Sequence, residues 1–401
     1  MSEPVTSGFR PGRRRVAITG VGVVSSCGVG RDAFWAGLHQ PASGAQRDVT
    51  GWDPEPYFAS PKEARRADRF QQFALAAAAE AWAHAGAPAD AAGPMAGTWI
   101  SSGVGGIGSY ETQVEVLLNR GARRVSPFTV PMLMGNAAGA AVSMRYGLQG
   151  PCENTATACA AGTHSIGNGA RMIMDGRCDL VLAGSAEAAS TPTGVAAFTN
   201  MTALTSSGHS TPFGAERDGF VISEGAAVLV LEAWDVAVAR GATILAEVLG
   251  SASTADAHHI TAPAPGGAGA IRCMRAALSD AGIGPADIAQ INAHGTSTPL
   301  NDAAEATACV EVFGQPGPPV TSIKGVTGHS LGAAGSLEAV SVVLSILHTS
   351  IPPTMGTVAL DPQLPAIDLV LGAARPWTPG PVISNSFGFG GHNGSVIIGP
   401  A

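Results

Sequence analysis

The sequence predicts an α/β protein made of two similar halves that pack against each other. Apolar runs typical of buried strands alternate with stretches in which apolar residues recur at helical spacing. This alternation begins again near residue 243, which divides the chain into predicted halves at 1–242 and 243–401. No repeat is visible at the level of single residues. The duplication is therefore predicted from the order of the elements alone.

Each predicted element rests on an apolar run or on helical spacing. In the first half, apolar runs predict strands at 15–25, 98–101, 178–184 and 226–232. Helical spacing predicts one long helix from 62 to 82, a second at 136–146, and a third that follows Cys159. In the second half the same signals predict helices at 269–281 and 332–347, and strands at 244–250, 288–292, 320–323, 382–385 and 395–398.

The composition argues against two classes of partner and indicates a reducing compartment. A formal net charge of −8 argues against nucleic acid, because phosphate binding needs a basic surface. No uninterrupted apolar run is long enough to span a bilayer, so no membrane association is predicted. The six cysteines lack the spacing of a zinc site and are predicted to be reduced thiols. We therefore expect a cytoplasmic protein.

Cys159 lies where a run of small and β-branched residues changes into a helical pattern. A thiol at a helix N-terminus is expected to have a lowered pKa, because the positive end of the helix dipole stabilises the thiolate. The first backbone N–H groups of such a helix can also bind an anion. The alternative is an ordinary buried cysteine in a helix of small residues.

Three segments of the second half share a composition in which a strand is followed by polar residues among glycines. They contain His294, then Lys324 and His329, and then the glycine-rich run 385–391. Loops at the carboxyl ends of parallel strands commonly carry the sites of α/β proteins. Each histidine alone is more often structural. Two histidines, a lysine and a cysteine in such positions predict one shared site.

Four motifs together resemble those of the β-ketoacyl-acyl-carrier-protein synthases, the elongating ketosynthases among the thiolase-like condensing enzymes. The motifs are Thr157-Ala-Cys159, Asn292-Ala-His294-Gly-Thr-Ser-Thr, Lys324-Gly-Val-Thr-Gly-His329 and Asn385-Ser-Phe-Gly-Phe-Gly-Gly391. The resemblance covers nearly the whole chain. It implies a thiolase-like duplicated αβαβα fold in which each half has a mixed five-stranded sheet. The first half would carry the nucleophile, and the second would carry the histidines and the lysine.

The resemblance also implies an acyltransferase reaction. Cys159 would hold an acyl chain as a thioester, and the backbone N–H groups of Cys159 and Phe389 would stabilise the oxyanion. Decarboxylative Claisen condensation with a malonyl group on an acyl carrier protein would then give a β-ketoacyl thioester and CO₂. His294 and His329 would stabilise the enolate. The pathway would be fatty-acid, type II polyketide or polyene biosynthesis.

Supporting residues follow from the same resemblance. Lys324, paired with Glu338, would orient the histidines, and Phe389 would also act as a gate over the acyl chain. Four side chains would contact the substrate: Thr296 and Thr298 at the pantetheine arm, and Tyr110 and Phe198 in the acyl pocket. Catalysis would require no metal or cofactor, although a structural cation could bind near Asn292, Glu338, Ser384 and Asn385.

The implied partners are an acyl carrier protein and a second ketosynthase chain, either an identical copy or a homologue without the nucleophile. Basic residues are the candidates for carrier docking: Lys62, Arg65, Arg66, Arg69, Arg123 and Arg124. The chain departs from the family at Thr202, where an arginine is usual, and at His392, where a threonine is common. These departures put the usual docking contacts in doubt. Two alternative functions remain, a chain-length-factor-like partner subunit and a degradative thiolase.

Overall fold

The computed structural model describes residues 13–42, 44, 46–86 and 92–401. The strands are β1 (Val16–Ser25), β2 (Gly28–Val29), β3 (Gln46–Arg47), β4 (Ala96–Ser101), β5 (Cys152–Glu153), β6 (Leu180–Glu187), β7 (Ile222–Ser223), β8 (Gly225–Ala233), β9 (Ala246–Ala255), β10 (Gln290–Asn292), β11 (Val320–Thr321), β12 (Ser350–Ile351), β13 (Arg375–Pro376), β14 (Val382–Gly388) and β15 (His392–Gly399). The helices are α1 (Arg31–Gly37), α2 (Pro61–Ala64), α3 (Arg69–His84), α4 (Ile107–Arg120), α5 (Thr129–Leu133), α6 (Ala137–Tyr146), α7 (Ala161–Met174), α8 (Pro192–Asn200), α9 (Trp234–Ala239), α10 (Ala268–Ala281), α11 (Pro299–Phe313), α12 (Lys324–Thr327) and α13 (Ala334–His348).

Two runs of five strands with the same topology form the main sheet. The order is β5-β4-β6-β8-β1 in the first half and β11-β10-β14-β15-β9 in the second. In both runs the first two neighbour pairs are parallel and the next two are antiparallel. The predicted duplication into mixed five-stranded halves is therefore confirmed. The strands β1 and β9 also pair with each other, which joins the halves into one continuous sheet. The division at 242/243 stays a prediction.

Helices cover both faces of each half of the sheet. The helices α3 and α6 pack on one face of the first half, and α10 and α11 pack on the outer face of the second. The helices α7 and α13 pack against each other and contact strands of both halves. The helices thus form two outer layers and one central layer, and each layer contains a cluster of buried apolar side chains. The result is the implied αβαβα order of layers.

The central helices α7 and α13 approach closely because each has a glycine near its first turn. A Cβ atom on Gly162 would lie 2.6 Å from the backbone N of Ser336, and one on Gly335 would lie 2.6 Å from the backbone N of Thr163. In the described part of the chain, one helical stretch, Leu331–His348, is long and apolar enough to cross a membrane. It is 89% buried inside the protein, which is typical of the core helix of a globular fold.

The long helix predicted from 62 to 82 is wrong, because the chain breaks between α2 and α3. The carboxylate of Asp68 accepts a hydrogen bond from the backbone N–H of Phe70, and the backbone N–H of Asp68 donates to the side chain of Gln71. This reciprocal capping box starts a new helix at Arg69. The helical spacing on both sides of the break concealed it.

Candidate active site

Cys159 lies in a 3₁₀ turn, Ala158–Ala160, that leads directly into α7. The turn begins at Ala158, whose φ of 48° is a left-handed value that is rare for a residue with a side chain. The cysteine is only 6% exposed and belongs to a small apolar cluster with Phe220 and Leu331. The position at the start of a helix agrees with the change of pattern in the sequence.

The structure brings together the four residues that the sequence placed at strand ends. The Nε2 atom of His329 lies 3.1 Å from Sγ of Cys159. The rings of His294 and His329 are 5.4 Å apart at 84°. One potential ligand atom from each of Cys159, His294 and His329 falls within 4.8 Å of the others, so a soft metal ion could bind there and would block the thiol.

Lys324 links one of these histidines to a buried carboxylate. Its ammonium donates to the carbonyl oxygen of His294 at 2.5 Å and pairs with Glu338. It also lies 3.3 Å from Nδ1 of His294. Because an ammonium group can only donate, Nδ1 accepts and the proton of the neutral ring is on Nε2. Lys324 thereby fixes His294 as an Nε2–H donor.

Burial controls the protonation of the site. It raises the pKa of the Cys159 thiol to about 11, although the charge of Lys324 and the backbone N–H of Phe389 act in the opposite direction. The predicted lowering of this pKa by the helix terminus is wrong, because desolvation of the thiolate outweighs the helix dipole. Burial, with the charge of Lys324, lowers the pKa of both His294 and His329 well below 6.5. Both rings are therefore neutral at pH 7.

The end of β14 lies against the nucleophile turn, and its fit depends on a glycine. A Cβ atom on Gly388 would lie 3.1 Å from the backbone N of Cys159 and 2.9 Å from the carbonyl O of Thr157. The next residue, Phe389, donates its backbone N–H toward the thiol of Cys159. The strand thus extends past the predicted end at 385 and carries the Phe389 amide to the sulfur.

A cavity of about 430 Å³ opens onto the thiol. The residues predicted for the site that line it are Cys159, His294, His329, Phe389, Phe198, Thr296 and Thr298. The rings of Phe198 and Phe389 lie 6.5 Å apart, and the hydroxyls of Thr296 and Thr298 lie 2.9 Å apart. Aromatic and hydroxyl groups thus share the wall with the thiol and imidazoles.

Two residues predicted for the site lie elsewhere. Tyr110, on α4, is 50% exposed and does not line the cavity, because the helix turns its ring to the surface of the single chain. Arg69 does not present a free charge for docking. Its guanidinium donates to both carboxylate oxygens of Glu224 and to the carbonyl of Val49, which indicates a structural ion pair. The other docking candidates are exposed: Lys62, Arg65, Arg66, Arg123 and Arg124.

Two buried carboxylates near the site were missed from the sequence. Glu305 on α11 accepts from the backbone N–H groups of His294 and Gly295 at 2.8 and 2.7 Å. Glu187 at the end of β6 accepts from the backbone N–H groups of Gly103 and Gly332 at 2.7 and 3.1 Å. Both hold the backbone of loops beside the thiol. In the sequence, each of them appears only as a single acidic residue among apolar ones. Helices exposed to solvent commonly show the same pattern, so neither residue was recognised.

The residues predicted for a structural cation fit it in part. The amide Oδ1 of Asn292 is buried without a hydrogen-bond partner, while its Nδ2 donates to the hydroxyl of Ser384 at 3.0 Å. An orphaned amide oxygen is a suitable cation ligand. The side chain of Asn385 does not contribute in this way, because its Oδ1 already accepts from Ser395 at 2.7 Å.

Comparison with known proteins identifies the family. Residues 38–237 match the description "Beta-ketoacyl synthase, N-terminal domain" and residues 245–357 match "Beta-ketoacyl synthase, C-terminal domain". The chain is 41% identical to 3-oxoacyl-[acyl-carrier-protein] synthase 2 of Staphylococcus aureus (strain N315) over 407 residues, covering 96% of this chain and 98% of that protein. Two solved structures are similar over 97% of this chain and 100% of theirs. The ishigamide ketosynthase/chain length factor has a TM-score of 0.90 at 34% identity. A type II polyketide synthase acyl-carrier protein in complex with its ketosynthase has a TM-score of 0.85 at 30% identity. Together with the duplicated fold and the cysteine–histidine–histidine site, these matches show that the chain belongs to the β-ketoacyl synthase family.

Proposed function

We propose that this β-ketoacyl synthase joins an acyl chain held on Cys159 to a malonyl group carried by an acyl carrier protein. The products are a β-ketoacyl thioester on the carrier and CO₂. One observation carries the proposal: the Cys159 sulfur lies 3.1 Å from a neutral imidazole, beside a second one, in the wall of a cavity. The thiol, the proton acceptor and the space for the substrate are in one place.

In the first half-reaction, the Cys159 sulfur attacks the carbonyl carbon of an acyl thioester. A new C–S bond forms and the C–S bond to the carrier arm breaks. The thiol proton passes to His329, whose lowered pKa makes it a neutral acceptor, and then to the departing thiolate. The oxyanion of the tetrahedral intermediate accepts hydrogen bonds from the backbone N–H groups of Cys159 and Phe389.

In the second half-reaction, the malonyl thioester loses CO₂ and becomes an enolate. Its carbon attacks the Cys159 thioester, a C–C bond forms, the C–S bond breaks, and the cysteine thiolate regains a proton from water. Negative charge on the enolate oxygen is stabilised by the Nε2–H donor of His294, and by His329 in the neutral tautomer that carries its proton on Nε2. Losing one donor of this kind costs about 2.7–4 kcal/mol, or about 10²–10³ in rate.

Intact mass spectrometry tests the proposal. The wild-type chain, mixed with acyl-carrier proteins that bear chains of different length, should gain the mass of one acyl group, and Cys159→Ala should gain none. Cys152→Ala removes an exposed cysteine and is the matched control. His294→Ala should still become acylated but should release CO₂ from a malonyl carrier about 10²–10³-fold more slowly. Acylation of Cys159→Ala equal to that of the wild type would refute the proposal.

The two alternative functions make different predictions. A chain-length-factor-like subunit needs no nucleophile, whereas this chain has the cysteine, both histidines and the lysine in contact. A degradative thiolase would cleave acetoacetyl thioesters with a second cysteine, but the corresponding region here carries Phe389 and His392. Cleavage of acetoacetyl-CoA that is faster than malonyl-carrier decarboxylation would favour the thiolase.

We further propose that the carrier protein docks on the exposed basic residues of the first half. Arg66 stacks over the ring of Phe128 at 4.3 Å, which brings the α2 segment beside the turn that carries Arg123 and Arg124. Attraction of an acidic carrier to these cations would overcome the net charge of −8 at short range.

Arg66→Glu should slow acylation from a carrier and weaken its salt dependence. Acylation from a small acyl thioester should not change. Arg275→Glu, at an exposed arginine on α10, is the control.

We further propose that the chain forms a dimer, either with an identical copy or with a homologue that lacks the nucleophile. The two residues of β5 are exposed at one edge of the main sheet, and α4 exposes Leu117 and Leu118. An open strand edge and exposed apolar side chains each favour pairing with another chain. Light scattering of the chain alone, and after co-expression with such a homologue, separates the two forms. A monomer under both conditions would contradict them.

Two further expectations remain proposals. A structural cation would be held by Asn292 Oδ1 and the neighbouring Ser384 and Glu338, with no part in the chemistry. Removing monovalent and divalent cations should lower the melting temperature without changing the mass of the acylated enzyme. A cytoplasmic location is supported by the six cysteines, all in the described part of the chain and none in a disulfide.

A further inference from the structure

A buried histidine that the proposed chemistry does not use bridges the two halves next to the nucleophile. His164 lies in the first turn of α7, five residues after Cys159, and is 6% exposed. Its Nδ1 lies 2.7 Å from the hydroxyl of Thr157 in the first half. Its Nε2 lies 3.1 Å from the carbonyl O of Asn393 on β15 in the second half. One ring therefore contacts both halves through both of its nitrogens.

The roles of the two nitrogens follow from their partners. A carbonyl oxygen can only accept, so Nε2 of His164 carries a proton and donates to Asn393. Burial lowers the pKa of His164, although its hydrogen bond to the carbonyl of Asn393 acts in the opposite direction, so the ring is neutral at pH 7. Nδ1 is then an acceptor, and the hydroxyl of Thr157 donates to it. The hydrogen bonds have one consistent direction, from Thr157 through the ring to Asn393.

Each end of this chain of hydrogen bonds is attached to a backbone segment beside the sulfur. The carbonyl of Thr157 accepts from the N–H of Ala160 at 3.0 Å and closes the nucleophile turn. Asn393 pairs with Phe387 in the β14–β15 hairpin, and this hairpin carries Phe389. The ring also packs closely on the backbone of β15. A Cβ atom added to Gly394 would lie 3.0 Å from the imidazole of His164.

We propose that His164 is a positioning residue that fixes the nucleophile turn relative to the β14–β15 hairpin. It would thereby keep the N–H groups of Cys159 and Phe389 aimed at one oxyanion. The inference rests on the proposed function, since it concerns acylation of Cys159. It predicts that disturbing the hydrogen bonds of His164 slows acylation more than it slows decarboxylation, because the enolate is stabilised by other side chains.

Four substitutions test the two hydrogen bonds separately. The amide N of a glutamine reaches the place of Nε2, so His164→Gln keeps the bond to Asn393 and loses the one to Thr157. The amide of an asparagine has the reach of Nδ1, so His164→Asn keeps the bond to Thr157 and loses the other. Thr157→Val removes the hydroxyl with little change of shape, and Thr157→Ser retains it.

The readouts are the rate of Cys159 acylation by mass spectrometry, CO₂ release from a malonyl thioester, and the melting temperature. We expect His164→Gln and Thr157→Val each to slow acylation about tenfold, the order of one lost hydrogen bond with some loss of alignment. The apparent KM should change little and CO₂ release by less than twofold. The double variant His164→Gln/Thr157→Val should acylate no more slowly than either single variant. Thr157→Ser should acylate at the wild-type rate.

The outcomes separate this inference from the proposed function. Equal losses of acylation and decarboxylation, in proportion to a lowered melting temperature, would overturn it and leave His164 a packing residue. If the His164 variants do not fold, the comparison of Thr157→Val with Thr157→Ser decides, and equal acylation rates would overturn it. Failure of the wild-type chain itself to form an acyl-enzyme on Cys159 would instead refute the proposed function.

Discussion

The thiol of Cys159 is held protonated at rest by the same burial that excludes water from its reaction. With a pKa of about 11, little thiolate exists at pH 7, so attack on a thioester must be coupled to proton transfer to His329. This differs from a cysteine that is ionised before its substrate arrives. The resting site is then unreactive towards general electrophiles, and the substrate's own contacts must start the reaction.

Alkylation by iodoacetamide measures this directly. Between pH 7 and 10 the rate at Cys159 should rise about tenfold per pH unit, because the thiolate fraction does so below the pKa. Lys324→Met should slow alkylation further, since the positive charge of Lys324 lowers this pKa. Peptide mass spectrometry resolves Cys159 from the exposed Cys152, which serves as the internal comparison. A rate at Cys159 that levels off below pH 8 would contradict a raised pKa.

Among single residues, the sequence predicted those that belong to a motif. It did not predict properties that depend on a contact formed only in the folded chain. The four motifs located Cys159, His294, Lys324 and His329, because glycines and polar residues after strands are unusual. The pKa of the thiol could not be predicted, since desolvation depends on side chains far away in the chain. The structural pairing of Arg69 with Glu224 likewise joins residues 155 positions apart.

Among the elements, α7 and α13 determine where the two halves meet. Gly162 and Gly335 face each other's helix in reciprocal positions, and a methyl group on either would lie 2.6 Å from a backbone nitrogen. The sequence predicted both helices from spacing, but it did not show that they pack on each other. That contact depends on the pairing of the halves, which no local pattern contains.

Replacing these glycines should therefore be costly. Gly162→Ala and Gly335→Ala should each lower the free energy of unfolding by about 1–3 kcal/mol, because the added methyl group forces the helices apart. Gly139→Ala on α6 is the matched control, since its Cβ would meet neighbours no closer than 3.6 Å. That substitution should be neutral or stabilising, by up to about 1 kcal/mol of helix propensity. Urea unfolding compares the three, and equal effects would contradict the close approach.

On the scale of the whole molecule, the duplication has given one half the nucleophile and the other half its partners. The 3₁₀ turn Ala158–Ala160 before α7 has a counterpart, Leu331–Ala333, before α13. Both turns begin with a residue at φ 48°. The position of Cys159 corresponds to Gly332, which places a small residue where the second half approaches the site. Equivalent strand ends then bring His294 and Lys324 to the sulfur from the opposite half.

Assembly of the site at this junction leaves several carboxylates without water. Burial raises the pKa of Glu187 to about 7, of Glu305 to about 8 and of Asp302 to about 6. In the unfolded chain these groups ionise near pH 4. Between about pH 4 and the raised pKa of each group, the folded chain therefore binds more protons than the unfolded one. The free energy of unfolding therefore falls as the pH rises through this window, by about 1.4 kcal/mol per pH unit for each group still protonated.

The buried histidines act in the opposite direction at lower pH. Because the folded chain keeps His294 and His329 neutral, their protonation in the unfolded chain removes stability as the pH falls below about 6.5. The two effects should thus largely offset each other below about pH 6, and stability should decline from pH 6.5 towards pH 8. Urea unfolding at half-unit steps from pH 5 to 9 measures the curve. Glu305→Gln should flatten the decline, whereas Glu311→Gln, at an exposed position on the same helix, should leave it unchanged. Stability that rises from pH 6.5 to 8 would show that these carboxylates are ionised in the folded chain.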